Sequence, residues 1–471
     1  MSNSAIISKR KRTLIFINIV MACVATSMLA TALTTALPDM IRDFNISVTT
    51  GQWLTGGYSL AMGIMMPLTA FLINRFPSRN LYLTAIIGFI IGLVLSVTAP
   101  NFIVMMCGRV LQACGNGILM SMAQVIILTI YPEEEKGTAM GWYGLSAGAA
   151  PVISPTIAGL LVDSFGWRMI FYAAIAVMVI SLIYAFCTID NVLDTAKKKF
   201  DIFSFIISAF AFGGITLGIG NIGTYPFISV YVLLMLVIGA VAAIIFVYRQ
   251  LHLKEPFLEL RILQNKEYAL SVIGSMLLYL IMMGSSVIMP LYVQTIMGCS
   301  ATISGLVTLP GSLVMAIVSP FAGKIYDKVG MKILFVTGAL CMLISNLSMV
   351  FIDMNTPVWL PAIYNVIRSV SIGCLMMPMV TWGTMDISKN KTAHATALLT
   401  SLRTISGAIG SAVFVGIMTM VANNSLASYG NSAQIHGLNV SFMSMAAVSG
   451  ILLLIAVFGV TKRRKNVQIN A

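Results

Sequence analysis

Charge is scarce in this chain. Only 9% of its 471 residues are Asp, Glu, Lys or Arg, against about 25% in soluble domains, while 58% are hydrophobic and the mean hydropathy is +0.95. A soluble globular protein is thereby excluded, and an integral membrane protein is expected. Long polar segments are missing too. The longest connections run from Arg249 to Tyr268 and from Ala422 to Gly437, too short for a soluble domain, so whatever the chain does it does within the bilayer. No Walker A sequence is present, and the GxGxxG of Gly218 to Gly223 closes an apolar helix without a preceding strand, so it reads as a helix end. The seven cysteines show no CxxC spacing and, Cys299 apart, sit in apolar runs; they read as free, packed thiols. His252, His394 and His436 have no metal-ligand spacing, and no serine or cysteine has a base within helical reach. No metal, no cofactor and no enzymatic activity are expected.

What remains is apolar sequence cut by short basic segments. With about 20 apolar residues per span, fourteen spans are expected, at 13–37, 53–73, 81–99, 102–130, 138–162, 167–188, 202–221, 226–248, 269–293, 302–323, 333–352, 357–381, 394–421 and 438–460. The net charge of +13 would suggest nucleic acid for a soluble chain, but here position gives it another meaning. With the N-terminus cytoplasmic, 23 of the 28 basic residues fall in inner segments, only Arg42 and Arg168 in outer ones, and three arginines within spans. That asymmetry predicts both termini on the cytoplasmic side of the cell membrane and no nucleic-acid partner. The first span follows Lys9 to Arg12 as a signal peptide would, but its length and the many later spans make it an uncleaved helix.

The fifth span is dense in helix breakers: Gly148, Pro151, Pro155 and Gly159 lie in an uncharged run between Lys136 and Asp163. In lipid, small residues let helix backbones approach, and proline is tolerated where neighbours satisfy the backbone. Pro151 and Pro155, one turn apart, predict a bent helix with a smooth face. This run resembles the fifth-helix antiporter motif of the major facilitator superfamily, with two of the motif's glycines replaced by Ala150 and Ala158. Trp167-Arg168-Met169-Ile170-Phe171 is similar to the sixth-helix opening of that superfamily's drug exporters. The alternative is a kinked helix packed for stability alone.

Two loops strengthen the resemblance. Gly323 to Lys332 is similar to the superfamily loop G-x-x-x-D-[RK]-x-G-x-[RK], with Gly323, Asp327, Lys328 and Lys332 at the defining positions. The earlier loop keeps Arg75 and Arg79 but has Ala70, Asn74 and Pro77 where the family has Gly, Asp and Gly. The resemblance implies cytoplasmic gating contacts at both; otherwise they are ordinary basic turns. In helix 4, Arg109 to Gly117 resembles the motif R-x-x-Q-G-x-G-x-G, with Gln112, Gly115 and Gly117 in place and Ala113 for one glycine. Arg109 sits roughly 10 Å inside its span, where a charge costs at least ~2.5 kcal/mol. Gln112 and Asn116, on the same face, are its expected partners. The resemblance assigns it to proton coupling; snorkelling outward is the alternative.

Arg368 and Arg403 lie deeper, about 16 Å and about 13 Å from the nearer span ends. Arg368 is the repeat counterpart of Arg109 once helices 7 and 8 are set aside, and the residues around Arg403 are similar to the thirteenth helix of fourteen-span exporters. One departure stands out. Such exporters carry an aspartate in helix 1 where this chain has Leu29, and an asparagine where it has Thr34. None of the fifteen acids lies near the middle of a span, so neutral or anionic amphiphiles are expected as substrates rather than dications. Proton exchange then needs a group nearer a helix end, such as Asp39, Asp386 or His394.

The chain is thus identified as a member of the fourteen-helix drug:proton antiporters of the major facilitator superfamily. The resemblance implies an all-α membrane fold with an N-terminal six-helix half (1–195), a two-helix insert and linker (196–265) and a C-terminal six-helix half (266–471). It implies secondary active export of small amphipathic compounds by proton antiport and alternating access, with a monomeric transport unit in the lipid bilayer. Residues expected along the substrate path are Thr34, Tyr58, Asn116, Trp142, Tyr279, Met283, Asn365, Arg368 and Arg403. Aromatics near span ends also serve as interface anchors. The rival expectation is a dedicated exporter of one anionic metabolite or lipid. An adaptor partner, as some relatives use, stays open.

Overall fold

The structure, a computed structural model, describes residues 8–46, 48–193, 195, 201–220, 229–253, 256–299, 301–388 and 391–460. Outside them lie Lys197, Lys198, Lys199, Lys254, Lys389, the basic tail from Lys462 and the end of the Gly218 to Gly223 run; the side chains of Thr34, Pro151 and Pro155 are outside as well. Every regular element among the described residues is helical. The helices are α1 Lys9–Asp43, α2 Val48–Arg75, α3 Ser78–Val97, α4 Phe102–Ile130 and α5 Lys136–Phe165. Next come α6 Met169–Thr188, α7 Ile202–Gly220 and α8 Val230–His252. The remainder are α9 Lys266–Leu291, α10 Ala301–Val329, α11 Met331–Met349, α12 Trp359–Thr384, α13 Thr392–Asn424 and α14 Ala433–Leu454. Single π turns, Tyr292–Ile296 and Ile455–Gly459, prolong α9 and α14.

Among the described residues thirteen helices are long and apolar enough to cross a membrane, and α5, at 30 residues, is of spanning length too. Side chains cap the first turns of several of them, and the capped α1 and α9 begin ahead of their apolar windows. Ser8 accepts from the Lys11 N–H ahead of α1, Asn101 from Val104 ahead of α4, Ser229 from Val232 ahead of α8 and Asn265 from Tyr268 ahead of α9; each cap satisfies an orphan donor. Helix α1 starts at Lys9, four residues ahead of the expected start at 13, and reaches Asp43, six residues beyond the expected end at 37. Large apolar side chains such as Ile103, Leu160 and Ile244 are exposed, as lipid contact requires. The cysteines are free, but Cys107 and Cys187 are exposed rather than packed.

The chain forms two compact units. The first comprises Met1–Pro132, Leu145–Leu263 and Asp386–Ala412; the second comprises Glu133–Gly144, Gln264–Met385 and Val413–Ala471. Helices α5 and α13 are each divided between them. In the first unit α3 packs on α4 at Gly92 and Gly108, where a Cβ on Gly92 would come within 2.7 Å of the Gly108 carbonyl. The α7–α8 pair closes at Gly214 and Gly239 in the same way. The start of α7 is fastened to the end of α8 by Arg249, which donates to Asp201 (3.0 Å) and Ser204 (3.0 Å). Burial raises the Asp201 pKa, but hydrogen bonds from Ser204 and Arg249 outweigh it and leave the carboxyl below its ordinary value. The linker after α8 is held too: Leu258 N–H donates to Gln250, and Phe257 packs on Phe71 and Phe205. At the other end, Asp43 accepts from Arg168 (2.8 Å) and Trp167 (3.1 Å), and these bonds lower its pKa.

The second unit is built around α12, which lies against α9, α10 and α11. Leu278, Phe335, Met342, Leu375, Met379 and Phe442 form the middle of its core. Met379 is where two helices are joined: its carbonyl accepts from Ser271 (2.6 Å) and its sulfur contacts the Ser275 hydroxyl (3.6 Å). Thioethers thus fill this core and also accept hydrogen bonds.

Candidate functional site

In the first unit, helix α4 carries a buried polar constellation. Arg109 is 0% exposed. Its Nε donates to the Leu54 carbonyl (3.1 Å) and its NH1 to Gln112 Oε1 (2.7 Å). The guanidinium stands 4.1 Å over the Tyr58 ring, a cation–π contact strengthened where water is excluded. Tyr58 in turn accepts from Asn116 Nδ2 (2.7 Å). Gln112 completes the set, since its Nε2 donates to the Gly92 carbonyl (2.9 Å) and Ser96 Oγ (2.8 Å). The spacing i, i+3, i+7 places Arg109, Gln112 and Asn116 on one face. Gln112 binds the guanidinium directly, whereas Asn116 reaches it through Tyr58.

The motif glycines have distinct surroundings. A Cβ on Gly115 would come within 2.8 Å of the Ala85 carbonyl, and one on Gly117 within 3.2 Å of Met65. Gly115 thus serves the contact with α3 and Gly117 the contact with α2. The sequence pattern did not single out Leu54, Ser96 or Gly92. They come from other helices, and no local spacing in α4 points to them.

The second unit holds a different device. Asp327, near the end of α10, accepts from the Gly137 N–H (2.8 Å), the Thr138 N–H (2.7 Å) and the Thr138 hydroxyl (2.6 Å). A carboxylate thereby caps the first turn of α5, where the helix dipole favours negative charge. Glycines permit the approach: a Cβ on Gly137 would come within 2.5 Å of Asp327 Oδ1, one on Gly141 within 2.5 Å of the Ser319 carbonyl, and one on Gly323 would strike Gly137. Lys328 is exposed, while Lys332 Nζ donates to the Val457 (2.5 Å) and Val460 (2.6 Å) carbonyls at the end of α14.

The corresponding residues of the first unit are arranged alike. Asn74, near the end of α2, lies 3.0 Å from His394 Nε2 in the first turn of α13. Arg79 donates to the Phe186 carbonyl (3.0 Å) near the end of α6. Arg75 is exposed.

The other expected residues are scattered. In the second unit, Arg368 is 3% exposed and donates to Asn365 Oδ1 (2.6 Å), while Tyr279 and Met283 on α9 are half-buried. Trp142 is 47% exposed. Arg403 is buried in the part of α13 that belongs to the first unit. Gly148 and Gly159 are half-buried on α5. Among the described residues no group of His, Cys, Asp and Glu could hold a metal ion.

The Major Facilitator Superfamily profile matches residues 15–411. Over 455 residues the chain is 36% identical to YcnB, an MFS-type transporter of Bacillus subtilis (strain 168), with 96% of each chain covered. The lincomycin resistance protein LmrB of Listeria innocua is 33% identical over 389 residues, 83% of each chain. The solved structure of the MFS proton:xylose symporter XylE superimposes with a TM-score of 0.66, covering 95% of each chain at 14% identity, a likeness of fold alone. A fold of membrane-spanning helices, a buried arginine motif in α4 and a family profile matched across most of the sequence lead to one conclusion: this chain is a multi-pass membrane protein belonging to the Major Facilitator Superfamily.

Proposed function

We propose that the chain is a secondary active exporter of amphipathic compounds, drugs included, working by proton antiport and alternating access. The observation that carries this reading is its 33% identity to a lincomycin resistance protein across 83% of both chains. Both termini lie on the cytoplasmic side of the cell membrane, in keeping with the 23 basic residues of the inner segments. The transport halves are 1–195 and 266–471, with 196–265 as insert and linker.

Arg109, held by Gln112 and Tyr58, serves proton coupling in the first half. Asn365, Arg368 and Met283 meet substrate in the second. The Asp327 cap on α5 is a cytoplasmic gating contact that breaks and re-forms in each cycle, and Asn74 with His394 is its counterpart. Gly148, Pro151, Pro155 and Gly159 let α5 bend as it moves.

The test is flux of a fluorescent amphiphile in proteoliposomes under an imposed pH gradient, for the wild type and Arg109→Ala. Gradient-driven flux that Arg109→Ala abolishes is expected. Equal flux with and without the gradient overturns proton antiport.

A further inference from the structure

Arg109 and Arg368 are both buried arginines of spanning helices, but they are not equally provided for. The guanidinium of Arg109 has a carbonyl, an amide oxygen and an aromatic face around it, and only its NH2 is left without a hydrogen-bond partner. That of Arg368 has one hydrogen bond, to the neutral Asn365 Oδ1 (2.6 Å), and its NH1 is buried without a partner. No acid among the described residues forms an ion pair with it. Every acid of the second unit's spanning helices lies near a helix end: Glu267 in the first turn of α9 and Asp327 in the last turn of α10.

Arg368 is nine residues into α12, roughly 13 Å at ~1.5 Å per residue. A cation at that depth with no counter-charge is costly. Its surroundings are nevertheless built. Asn365 Nδ2 donates to the Thr308 carbonyl (3.3 Å), which turns its Oδ1 toward the arginine. Gly311 brings the α10 backbone against the same place, since a Cβ there would come within 2.5 Å of Asn365 Nδ2 and 2.6 Å of Ser369 Oγ. The side chain that orients Arg368 is therefore clamped between two helices, and the guanidinium keeps a free donor edge. A guanidinium fork matches the paired oxygens of carboxylate, sulfonate and phosphate, and gains most where water is excluded.

We propose that Arg368, positioned by Asn365, is an oxyanion subsite, and that the substrates are amphiphilic organic anions carrying a carboxylate, sulfonate or phosphate on an apolar body. This deepens the exporter reading and rests on it for the transport step, but not for binding. It accounts for a chain that buries arginines and places no acid at mid-span: such a path offers a counter-charge to an anion and none to a cation.

Binding and flux of three matched fluorophores test it, one naphthalene body bearing a sulfonate, an uncharged sulfonamide or a trimethylammonium group. Binding is read in maltoside micelles and flux in phosphatidylcholine proteoliposomes. We expect the wild type to bind the sulfonate at least tenfold more tightly than the ammonium compound. Arg368→Ala should erase that preference while leaving sulfonamide binding intact, which also shows that the variant is folded. Arg368→Lys should keep part of the preference, and Asn365→Ala should reduce it. A wild type that binds the ammonium compound as tightly as the sulfonate overturns the proposal, as does a preference that survives Arg368→Ala. Sulfonate that binds but does not move leaves the subsite standing and sinks the exporter reading. If phosphatidylglycerol, not the dye, stabilises the wild type and fails to stabilise Arg368→Ala, the oxyanion is a lipid headgroup.

Discussion

Asn74 stands 3.0 Å from His394 Nε2, a contact made by an amide at the place where the later copy of the same loop uses the Asp327 carboxylate. Each residue sits near the C-terminal end of its helix and meets the first turn of another: α13 for Asn74, α5 for Asp327. The two copies keep the contact and differ in its charge. Asn74→Leu should lower the melting temperature of the purified protein, whereas Asn74→Asp should not. A double-mutant cycle with His394→Ala should give a coupling of about 1 kcal/mol, the net worth of one buried hydrogen bond. A coupling of zero would mean the contact has no energetic weight.

Asp327→Ala removes three acceptor contacts from the start of α5. Losing a helix cap costs about 1 kcal/mol, so Asp327→Ala should melt about 1 °C below the wild type. Asp327→Asn, which keeps one acceptor oxygen, should fall between them. Thermal unfolding in detergent checks the order, and an unchanged Asp327→Ala variant contradicts it.

The last basic residues of the two loops also act alike, Arg79 on the Phe186 carbonyl and Lys332 on those of Val457 and Val460. A cation at a helix C-terminus contributes about 0.3 to 1 kcal/mol. Arg79→Met and Lys332→Met should each destabilise by that much. Hydrogen exchange should locate the change in Lys332→Met at the end of α14 and nowhere in α6.

Gly92 and Gly56 offer a matched pair. A Cβ on Gly92 collides with the Gly108 carbonyl and the Gln112 N–H, whereas one on Gly56 meets nothing within 4 Å. Gly92→Ala should cost about 1 to 3 kcal/mol through overpacking, and Gly56→Ala should be neutral or slightly stabilising. Folded yield and melting temperature, measured side by side, decide it.

Asp43 supplies a pH test. Hydrogen bonds from Arg168 and Trp167 hold its carboxyl below its ordinary value, so its contribution is present above the unfolded pKa of roughly 4. It is lost as the pH falls through the lower folded value. The stability gap between wild type and Asp43→Asn should be constant from pH 7 to 5 and close below pH 4. The pair is partly exposed, so the gap should be small and should shrink in high salt.

Much of this was legible in the sequence. Apolar length gave the spans, and the i, i+3 spacing of Arg109 and Gln112 announced their contact. The ends were less legible, since caps such as Ser8 and Asn265 carry helices beyond their apolar windows. Tyr58 shows the main gap. Its place among the aromatics is plain from the sequence, but the contact of its ring with Arg109 spans 51 positions and no local pattern encodes it. Asp327 and Lys332 were likewise marked by their loop, while the groups they hold, on α5 and α14, belong to distant parts of the chain.

Gln112 gives its carbonyl to Arg109 and its amide hydrogens to Gly92 and Ser96. Whatever draws the guanidinium away strands that carbonyl in an apolar interior, at a cost of about 1 to 3 kcal/mol. Because Gln112 is tied to α3, it is poorly placed to follow. The arrangement acts as a return spring: displacement of Arg109 stores energy, and relaxation needs no partner other than the one it left.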